Sequence, residues 1–345
     1  MRIHYDNLIY SLQRAGGIST YWSELTSRLL RDGADISFSE SPNKNIARES
    51  LSIPESKIFQ AKNKQTLLSR FQRISLPFKD PFIFHSSYNR ITNNPSALQV
   101  VTIHDFVHEK FYNGLRRYLH LHQKNKSIHA AVKIITVSEN TKKDLLEFHP
   151  NLPEANIIVI HNGVSDEFFP LAQRIEAQRP YLLFIGSRAY YKNFSFAIDL
   201  VKKNIKFDLF IVGSGLNKME ESELKNKLPN RWRLFSGVDN KVLNEIYNNA
   251  FAVIYPSAYE GFGIPLLESM KAGVPFIALN KSSIPEVAGD AGVLVDALDI
   301  HQFSDAIVEV EQNRAQLITK GFAQSEKFSW EKCYLETKAV YQSLG

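Results

Sequence analysis

The sequence predicts an α/β protein made of two Rossmann-like domains, each built on a parallel β-sheet. Short apolar, β-rich runs alternate with amphipathic segments along the whole chain, which is typical of parallel sheets with helices on both faces. The 345 residues are enough for two domains with sizeable cores. A polar segment at 169–180 interrupts the alternation and is predicted to be an interdomain linker. Two such domains are expected to face one another across a cleft.

Hydrophobic patterns place the individual elements. Strands are predicted at Ile3–Tyr5, Asp35–Phe38, Phe82–His85, Val100–His104, Ile134–Val137, Ile157–Ile160, Tyr181–Ile185, Phe207–Val212, Trp232–Phe235, Ala252–Tyr255, Pro275–Ala278 and Val293–Val295. Amphipathic helices are predicted at Thr20–Arg31, Tyr118–Ala131, Ser195–Lys203 and Val242–Asn249. The polar stretch Lys44–Lys64 is predicted to be a long loop. The first domain is expected to span residues 1–168 and the second residues 169–328.

The composition is that of an ordinary globular protein, with 44% hydrophobic and 22% charged residues. The single cysteine, Cys333, excludes an internal disulfide framework and fits a reducing compartment. The N-terminus has no apolar core of signal-peptide length, and no window approaches 18 apolar residues. We therefore expect a cytoplasmic protein without a membrane span.

The formal net charge of +5 is unevenly distributed. The segment Lys57–Lys143 carries 15 Lys or Arg residues against 4 Asp or Glu residues, with aromatic side chains interleaved. Such a segment could attract nucleic acid, an anionic membrane or an acidic substrate. The competing interpretation is a solvated face whose aromatic side chains point into the core. No nucleic-acid recognition motif accompanies the charge, so nucleic acid is not an expected partner.

The stretch YPSAYEGFGIPLLESMKAGVP, which starts at Tyr255, reads as a loop that leads into a helix. Gly261 and Gly263 permit backbone conformations that a side chain would block, and Pro265 suits the first helical position. The free N–H groups of a helix start can bind phosphate. Glu260 and Glu268 flank this point, and carboxylates that accept hydrogen bonds from hydroxyls suit a sugar nucleotide. A helix-capping loop with a glutamate favoured by the helix dipole is the alternative.

Two cations follow the predicted strand Tyr181–Ile185. Arg188 and Lys192 lie four residues apart beside Gly186, and a guanidinium fork with a point charge suits a pyrophosphate. Two exposed basic side chains at a helix start are the alternative. The helix dipole disfavours cations at that position, which favours the functional interpretation.

Other polar motifs also follow predicted strands, where ligands bind in sheets of this type. Gly16 and Gly17 allow close approach of a ligand to the backbone, or form a simple tight turn. His104 with the adjacent Asp105 is a polar anchor or proton shuttle, or a structural pair. The sequence has no Asp-x-Asp motif, phosphate-binding loop of the Gly-Lys-Ser/Thr type or zinc-like Cys/His spacing. We therefore expect no metal and no cofactor.

Together these motifs resemble those of glycosyltransferase family 4, retaining enzymes of the GT-B fold. The resemblance extends over nearly the whole chain, and its most specific part runs from Glu260 to Glu268. The other matching segments are 16–17, 102–105, 136–138, 162–164, 186–193, 212–215, 283–289 and 328–330. The last of these is where such chains begin a helix, here about 329–345, that rejoins the first domain.

The resemblance implies a role for each site residue. Glu260 and the amides of Phe262 and Gly263 would hold the donor sugar, and Glu268 would hold the ribose. Arg188 and Lys192 would hold the diphosphate, Val238 would contact the base, and His104 would lie near the reacting centre. The implied donor-binding set is Gly16, Gly17, Arg188, Lys192, Val238, Glu260, Gly261, Phe262, Gly263, Ile264, Pro265 and Glu268. The implied catalytic set is His104, Arg188, Lys192 and Glu260. The Arg-to-Lys spacing of four is shorter than in many relatives.

The implied activity is transfer of a hexose from a nucleotide sugar, with the anomeric configuration kept, to a glycan or lipid-linked acceptor in bacterial polysaccharide assembly. GDP-mannose is the first expected donor and a UDP-hexose the second. The first domain would bind the acceptor and the second the donor. A membrane-bound acceptor would fit peripheral docking of 57–143 on the anionic inner face of the membrane. The alternatives are a sugar-nucleotide epimerase and a non-catalytic glycan-binding protein.

Overall fold

The computed structural model of the chain describes residues 1–60, 71–173 and 178–345. The chain forms two compact units: Met1–Gly163 with Trp330–Gly345, and Val164–Ser329. The chain thus enters the second unit earlier than the predicted linker at 169–180. The reason is local, because the Asn244 and Asn248 side chains hydrogen-bond the backbone of Phe169 within the second unit. Residues 174–177 of the predicted linker lie outside the described residues.

The first unit contains a parallel sheet with the order β3-β2-β1-β4-β5-β6-β7 within the described residues. Its strands are β1 (Arg2–Tyr5), β2 (Ile36–Glu40), β3 (Ile58–Gln60), β4 (Phe82–Ser86), β5 (Ala97–Ile103), β6 (Lys133–Thr136) and β7 (Ile157–Val159). Ile3 pairs with Ile36 on one side and Ile83 on the other. All three side chains are buried, as expected for central parallel strands.

Helices connect these strands. They are α1 (Ile9–Leu12), α2 (Gly17–Arg31), α3 (Ile46–Glu49), α4 (Val107–Phe111), α5 (Gly114–Ala130) and α6 (Glu139–Phe148). Ser138 caps α6 by accepting a hydrogen bond from the Thr141 N–H. The predicted strands and helices of this unit are confirmed, with ends that differ by a few residues.

The prediction of a long loop at Lys44–Lys64 is wrong for the described part of that stretch. Asn45 caps the short helix α3, and β3 adds to the edge of the sheet by pairing Ile58 with Phe38. A strand of three residues is too short to show an alternating pattern, which is why the sequence does not reveal it. Residues 61–64 lie outside the described residues.

The second unit contains a parallel sheet with the order β10-β9-β8-β11-β12-β13 within the described residues. Its strands are β8 (Tyr181–Ile185), β9 (Asp208–Val212), β10 (Trp232–Phe235), β11 (Ala252–Tyr255), β12 (Phe276–Leu279) and β13 (Val293–Val295). Its helices are α7 (Phe194–Lys203), α8 (Lys218–Lys227), α9 (Asn240–Asn248), α10 (Ile264–Lys271), α11 (Ile284–Ala288) and α12 (Ile300–Ser325). The strand order reverses between β8 and β11. This reversal creates a crevice at the carboxyl ends of the strands, where sheets of this type bind ligands.

The C-terminal helix α13 (Trp330–Gln342) belongs to the first unit. The Tyr341 hydroxyl lies 2.7 Å from the Tyr5 hydroxyl and 2.6 Å from Nδ1 of His85. Glu331 forms ion pairs with Arg28 and Arg31 of α2. Buried hydrogen bonds and ion pairs therefore fix the end of the chain to this unit. None of the described helices is long and apolar enough to cross a membrane.

Candidate functional site

Most of the predicted site residues lie in the second unit, at the carboxyl ends of three strands. Arg188 and Lys192 follow β8, Val238 follows β10, and Glu260 follows β11. Glu268 lies on α10, which continues the loop after β11. The strands β8 and β11 are neighbours at the point where the strand order reverses, so the sheet itself brings Arg188, Lys192 and Glu260 to one place.

The loop after β8 precedes the helix instead of starting it. Residues Tyr190–Lys192 form one 3₁₀ turn, and α7 begins only at Phe194, after Asn193 in the left-handed conformation. The side chains of Arg188 and Lys192 are only 5% and 12% exposed. The alternative of two exposed cations at a helix start is therefore wrong.

Two hydrogen bonds join the loop after β8 to the loop after β11. The side chain of Asn193 donates to the Pro256 carbonyl at 2.8 Å, and the Ala258 N–H donates to the Tyr191 carbonyl at 2.8 Å. No individual role was predicted for Asn193, which belongs to the matching segment 186–193. Its signal is that asparagine tolerates the left-handed conformation better than most residues.

Arg188 packs over the turn that follows β9. Its Nη2 donates to the carbonyls of Ser214 and Gly215 at 2.9 and 2.6 Å, and its Nε lies 3.1 Å from Oε2 of Glu220. Its Nη1 is buried and has no hydrogen-bond partner among the described residues. The guanidinium is thus held on one side and keeps a donor available on the other. A Cβ at Gly213 would lie 2.6 Å from the Gly186 carbonyl oxygen and 3.2 Å from Nη1, so this packing requires a glycine at 213.

Lys192 and Glu260 form an ion pair with 2.5 Å between Nζ and Oε1. The Glu260 backbone is fixed as well, because its N–H donates to Oγ of Ser282 at 2.8 Å. The Ser283 hydroxyl lies 2.9 Å from the carbonyl oxygens of both Glu260 and Phe262. Ser283 was expected only as part of the matching segment 283–289, and no contact of its side chain was predicted.

Gly263 directly precedes α10 in the left-handed region with φ of 110°, where glycine is favoured, and no side chain of the described residues caps the helix. Ile264 is the first helical residue and Pro265 the second, so the prediction of Pro265 at the first position is off by one.

Glu268 lies on α10 and is held by a hydrogen bond. The Tyr247 hydroxyl donates to Oε2 of Glu268 at 2.7 Å. Burial raises the pKa of Glu268 to about 7.

Val238 follows the edge strand of the sheet, whereas the other predicted site residues of the second unit follow the central strands β8 and β11. It follows β10, two strands away from β8. Gly237 turns the chain with φ of 68°, and Asp239 caps α9 by accepting from the Val242 N–H at 2.8 Å. The turn therefore presents the backbone of Val238 at the carboxyl edge of the sheet.

In the first unit, Gly16 and Gly17 begin α2. The Gly16 carbonyl accepts hydrogen bonds from the Ser19 hydroxyl at 2.9 Å and the Thr20 N–H at 3.1 Å. A Cβ on Gly16 would lie 2.8 Å from Oε1 of Gln13. The close approach observed here is therefore to the chain's own Gln13 side chain.

His104 directly follows β5 of the first unit. The edge-to-face contact with Tyr21 has a ring-centroid distance of 5.0 Å. Burial lowers the pKa of His104 to about 4, so the imidazole is neutral near pH 7. Its Nε2 has no hydrogen-bond partner among the described residues. The Asp105 carboxylate instead accepts from the Val107 N–H at 3.0 Å, which gives Asp105 a helix-starting role.

A surface cavity of the first unit is lined by His104 together with Ile18 and Lys124. Nζ of Lys124 donates to the Asp105 carbonyl at 2.6 Å and pairs with Glu109 at 2.9 Å. Burial lowers the pKa of Lys124. The cavity thus places a neutral imidazole beside a paired ammonium group.

Two family models match consecutive parts of the chain: Glycosyltransferase Family 4 matches residues 15–168, and Glycosyl transferases group 1 matches residues 166–324. The O-antigen chain mannosyltransferase B of Escherichia coli is 30% identical over 64% of this chain and 63% of its own length. The O-antigen chain mannosyltransferase RfbU of Salmonella typhimurium is 27% identical over 62% of this chain and 61% of its own length. The match thus spans less than two thirds of these curated relatives.

Among solved structures, HepE of Anabaena in complex with UDP and glucose superposes with a TM-score of 0.76. The identity is 14%, and the match covers 99% of this chain and 100% of that one. This likeness describes the fold of both units.

Proposed function

The chain belongs to glycosyltransferase family 4 and has the GT-B fold, and from this premise we propose that it is a retaining hexosyltransferase. It would move a hexose from a nucleotide sugar to a glycan or lipid-linked acceptor. The observation that carries the proposal is the convergence of Arg188, Lys192 and Glu260 with the start of α10 at the reversal of the strand order. Cations, a carboxylate and uncapped helix N–H groups together suit a phosphorylated sugar.

The cations neutralise the leaving diphosphate in this proposal. Nη1 of Arg188 is a buried donor without a partner among the described residues, and a phosphate oxygen would provide one. Lys192 is paired with Glu260, and a diphosphate at the start of α10 would share its ammonium group. These two charges are the basis for proposing a reaction that needs no metal.

The carboxylates orient the rest of the donor. Glu260, with the backbone of Gly261, Phe262 and Gly263, would hold the sugar hydroxyls, and the bonds to Ser282 and Ser283 keep that loop in place. Glu268 would accept hydrogen bonds from the ribose. Because its pKa is raised to about 7, ribose binding by the ionised form should strengthen as the pH rises through neutrality.

The proposed reaction is a front-face displacement. The acceptor oxygen forms a bond to the anomeric carbon on the face from which the diphosphate oxygen departs, so the configuration is kept. The leaving phosphate takes the proton of the acceptor hydroxyl. This mechanism and the role of His104 near the sugar are proposed by analogy with the family. A neutral His104 would contribute a hydrogen bond there rather than a charge.

GDP-mannose is the first proposed donor, because the two relatives named above are O-antigen chain mannosyltransferases. Those names also support an acceptor that belongs to lipopolysaccharide-type assembly. A UDP-hexose is the second candidate, supported by the HepE structure with UDP and glucose.

A thermal-shift panel of GDP-mannose, UDP-glucose, UDP-galactose and UDP-N-acetylglucosamine tests donor binding. A ligand that binds only the folded state raises the melting temperature, and GDP-mannose should give the largest shift. The shift should be lost in Arg188→Ala. A shift that survives in this variant would remove Arg188 from the site, and no shift with any donor would contradict the proposal.

The alternative functions differ in their products. An epimerase would convert the sugar without an acceptor, and a binding protein would release no nucleoside diphosphate.

A further inference from the structure

Tyr21 lies on α2 and contacts the ring of His104. The two rings meet edge to face, with 5.0 Å between their centroids and an angle of 84° between their planes. Within the part of the chain that the structure describes, Nε2 of His104 has no hydrogen-bond partner. Edge-to-face packing is a favourable arrangement for such ring pairs, so the Tyr21 ring constrains the orientation of the imidazole.

The Tyr21 ring is itself held at its hydroxyl. Tyr21 is fully buried, and its hydroxyl lies 3.0 Å from Oγ1 of Thr102 on β5. Thr102 precedes His104 by two residues, so the tyrosine is anchored to the strand that carries the histidine. Displacement of the ring would leave a buried hydroxyl unsatisfied, which costs free energy. The hydroxyl therefore fixes the position of the ring.

This anchor continues through the sheet to the C-terminal helix. Oγ1 of Thr102 lies 2.9 Å from Nε2 of His85 on β4, and Nδ1 of His85 lies 2.6 Å from the Tyr341 hydroxyl on α13. The Tyr341 hydroxyl in turn lies 2.7 Å from the Tyr5 hydroxyl on β1. All of these side chains are buried. Together with Tyr21 they form one continuous row of hydrogen bonds, which we call the buried network.

His85 couples the two halves of the buried network. Burial lowers the pKa of His85 to about 3, so near pH 7 one ring nitrogen donates and the other accepts. On the side where His85 accepts, the adjacent hydroxyl uses its one hydrogen and must accept from the next hydroxyl. Networks of this kind act as a unit. Removal of the Tyr341 hydroxyl should therefore affect the position of Tyr21.

We propose that Tyr21 is a positioning residue for His104, and that the buried network anchors it to Tyr341 of α13. The proposal rests on the role of His104 near the sugar that is proposed above. Tyr21 is fully buried and therefore acts through the imidazole, which it holds in the orientation that serves the reaction. Displacement of a group by about 1 Å can lower a catalytic rate severalfold or more. KM for the donor should not change, because the proposed donor-binding groups lie in the second unit.

Release of nucleoside diphosphate by the full chain, with GDP-mannose and UDP-glucose as donors, tests the proposal. Tyr21→Phe and Tyr341→Phe each keep the ring and remove the hydroxyl. Both should lower kcat about threefold or more and leave KM for the donor unchanged. Tyr334→Phe is the matched control, because Tyr334 is also buried on α13 but its hydroxyl donates to Asp32 at 2.6 Å, outside the buried network. Its kcat should equal that of the wild type.

Combination with His104→Ala separates positioning from a general structural effect. His104→Ala should lower kcat, and addition of Tyr21→Phe should lower it no further, because residues that act through one another are not additive. Ring signals of His104 in protein made with ¹³C-labelled histidine, identified by their loss in His104→Ala, give a readout that needs no turnover. These signals should shift in Tyr21→Phe and Tyr341→Phe but not in Tyr334→Phe. Melting temperatures show whether each variant keeps its fold.

Several results would overturn the positioning proposal and leave the transferase proposal intact. They are fully additive losses of kcat for Tyr21→Phe and His104→Ala, unchanged His104 signals in Tyr21→Phe and Tyr341→Phe, and an equal loss of kcat in Tyr334→Phe. Wild-type kcat in His104→Ala would refute the role of His104 and the positioning proposal with it. Absence of turnover by the wild type with both donors would count against the proposed function, and the His104 signals would then decide the positioning alone.

Discussion

Arg188 is the side chain on which the proposed chemistry depends most. Its guanidinium is anchored by the carbonyls of Ser214 and Gly215, and the carboxylate of Glu220 lies beside it. We expect Arg188→Ala to lower kcat roughly a hundredfold or more, since loss of one charge-stabilising group at the transition state costs a few kcal/mol. Steady-state release of nucleoside diphosphate measures this. Arg233→Ala, an exposed arginine of the same unit, is the control, and wild-type turnover in folded Arg188→Ala would exclude the role.

Substitutions of Glu260 and Glu268 should change different quantities, kcat in the first case and nucleotide affinity in the second. Ribose contacts persist in the ground and transition states, so Glu268→Ala should weaken nucleotide binding about tenfold. Glu260→Ala should mainly lower kcat, because charge develops on the sugar during the reaction. Calorimetric titration with the free nucleoside diphosphate and steady-state kinetics distinguish the two. If Glu260→Ala loses affinity for the free nucleotide while Glu268→Ala keeps it, the two roles are reversed.

Glu268 should also make folding stability depend on pH. Burial raises its pKa from 4.5 to about 7, so the folded state binds this proton more tightly than the unfolded state. Tighter proton binding at Glu268 therefore stabilises the folded state in full below pH 4.5, and this stabilisation is lost as the pH rises to about 7. Over that range the wild type should lose on the order of 1–3 kcal/mol relative to Glu268→Gln. Urea unfolding at several pH values tests this, and parallel pH profiles for the two proteins would contradict it.

At the scale of secondary-structure elements, the turn after β9 has to be compact for Arg188 to pack over it. A methyl group at Gly213 would lie 2.6 Å from the Gly186 carbonyl oxygen, whereas one at Gly215 would meet no atom within 4 Å. Gly213→Ala should therefore destabilise the protein by about 1–3 kcal/mol and weaken donor binding. Gly215→Ala is the matched control and should do neither. Equal melting temperatures for the two variants would show that the turn tolerates the methyl group.

The elements themselves could largely be predicted, because a strand or a helix is recognisable from its local pattern. The loop motif from Glu260 to Glu268 was likewise recognisable, since its glycines and proline are adjacent in sequence. The ion pair between Lys192 and Glu260 could not be predicted from the sequence. The two residues are 68 positions apart and meet only because β8 lies beside β11, and the order of strands in a sheet cannot be predicted from the spacing of residues along the chain. The same limit applies to Ser283, whose hydrogen bonds reach back to Glu260.

In the molecule as a whole, the predicted site residues are divided between the two units. The proposed phosphate- and sugar-binding groups Arg188, Lys192, Glu260 and Glu268 lie in Val164–Ser329. His104 and the cavity that it lines belong to the unit formed by Met1–Gly163 and Trp330–Gly345.

The chain is proposed to transfer a hexose with retention, with Arg188 and Lys192 neutralising the diphosphate in place of a metal. The most direct measurement incubates the chain with GDP-mannose, or a UDP-hexose, and glycan or lipid-linked acceptors in the presence of EDTA. Release of the nucleoside diphosphate is followed, and the product's anomeric configuration is determined by NMR. We expect transfer that keeps the donor's anomeric configuration, at a rate that EDTA does not change. Activity that disappears with EDTA and returns with Mg²⁺ or Mn²⁺, a product of inverted configuration, or no transfer from any of these donors would contradict it.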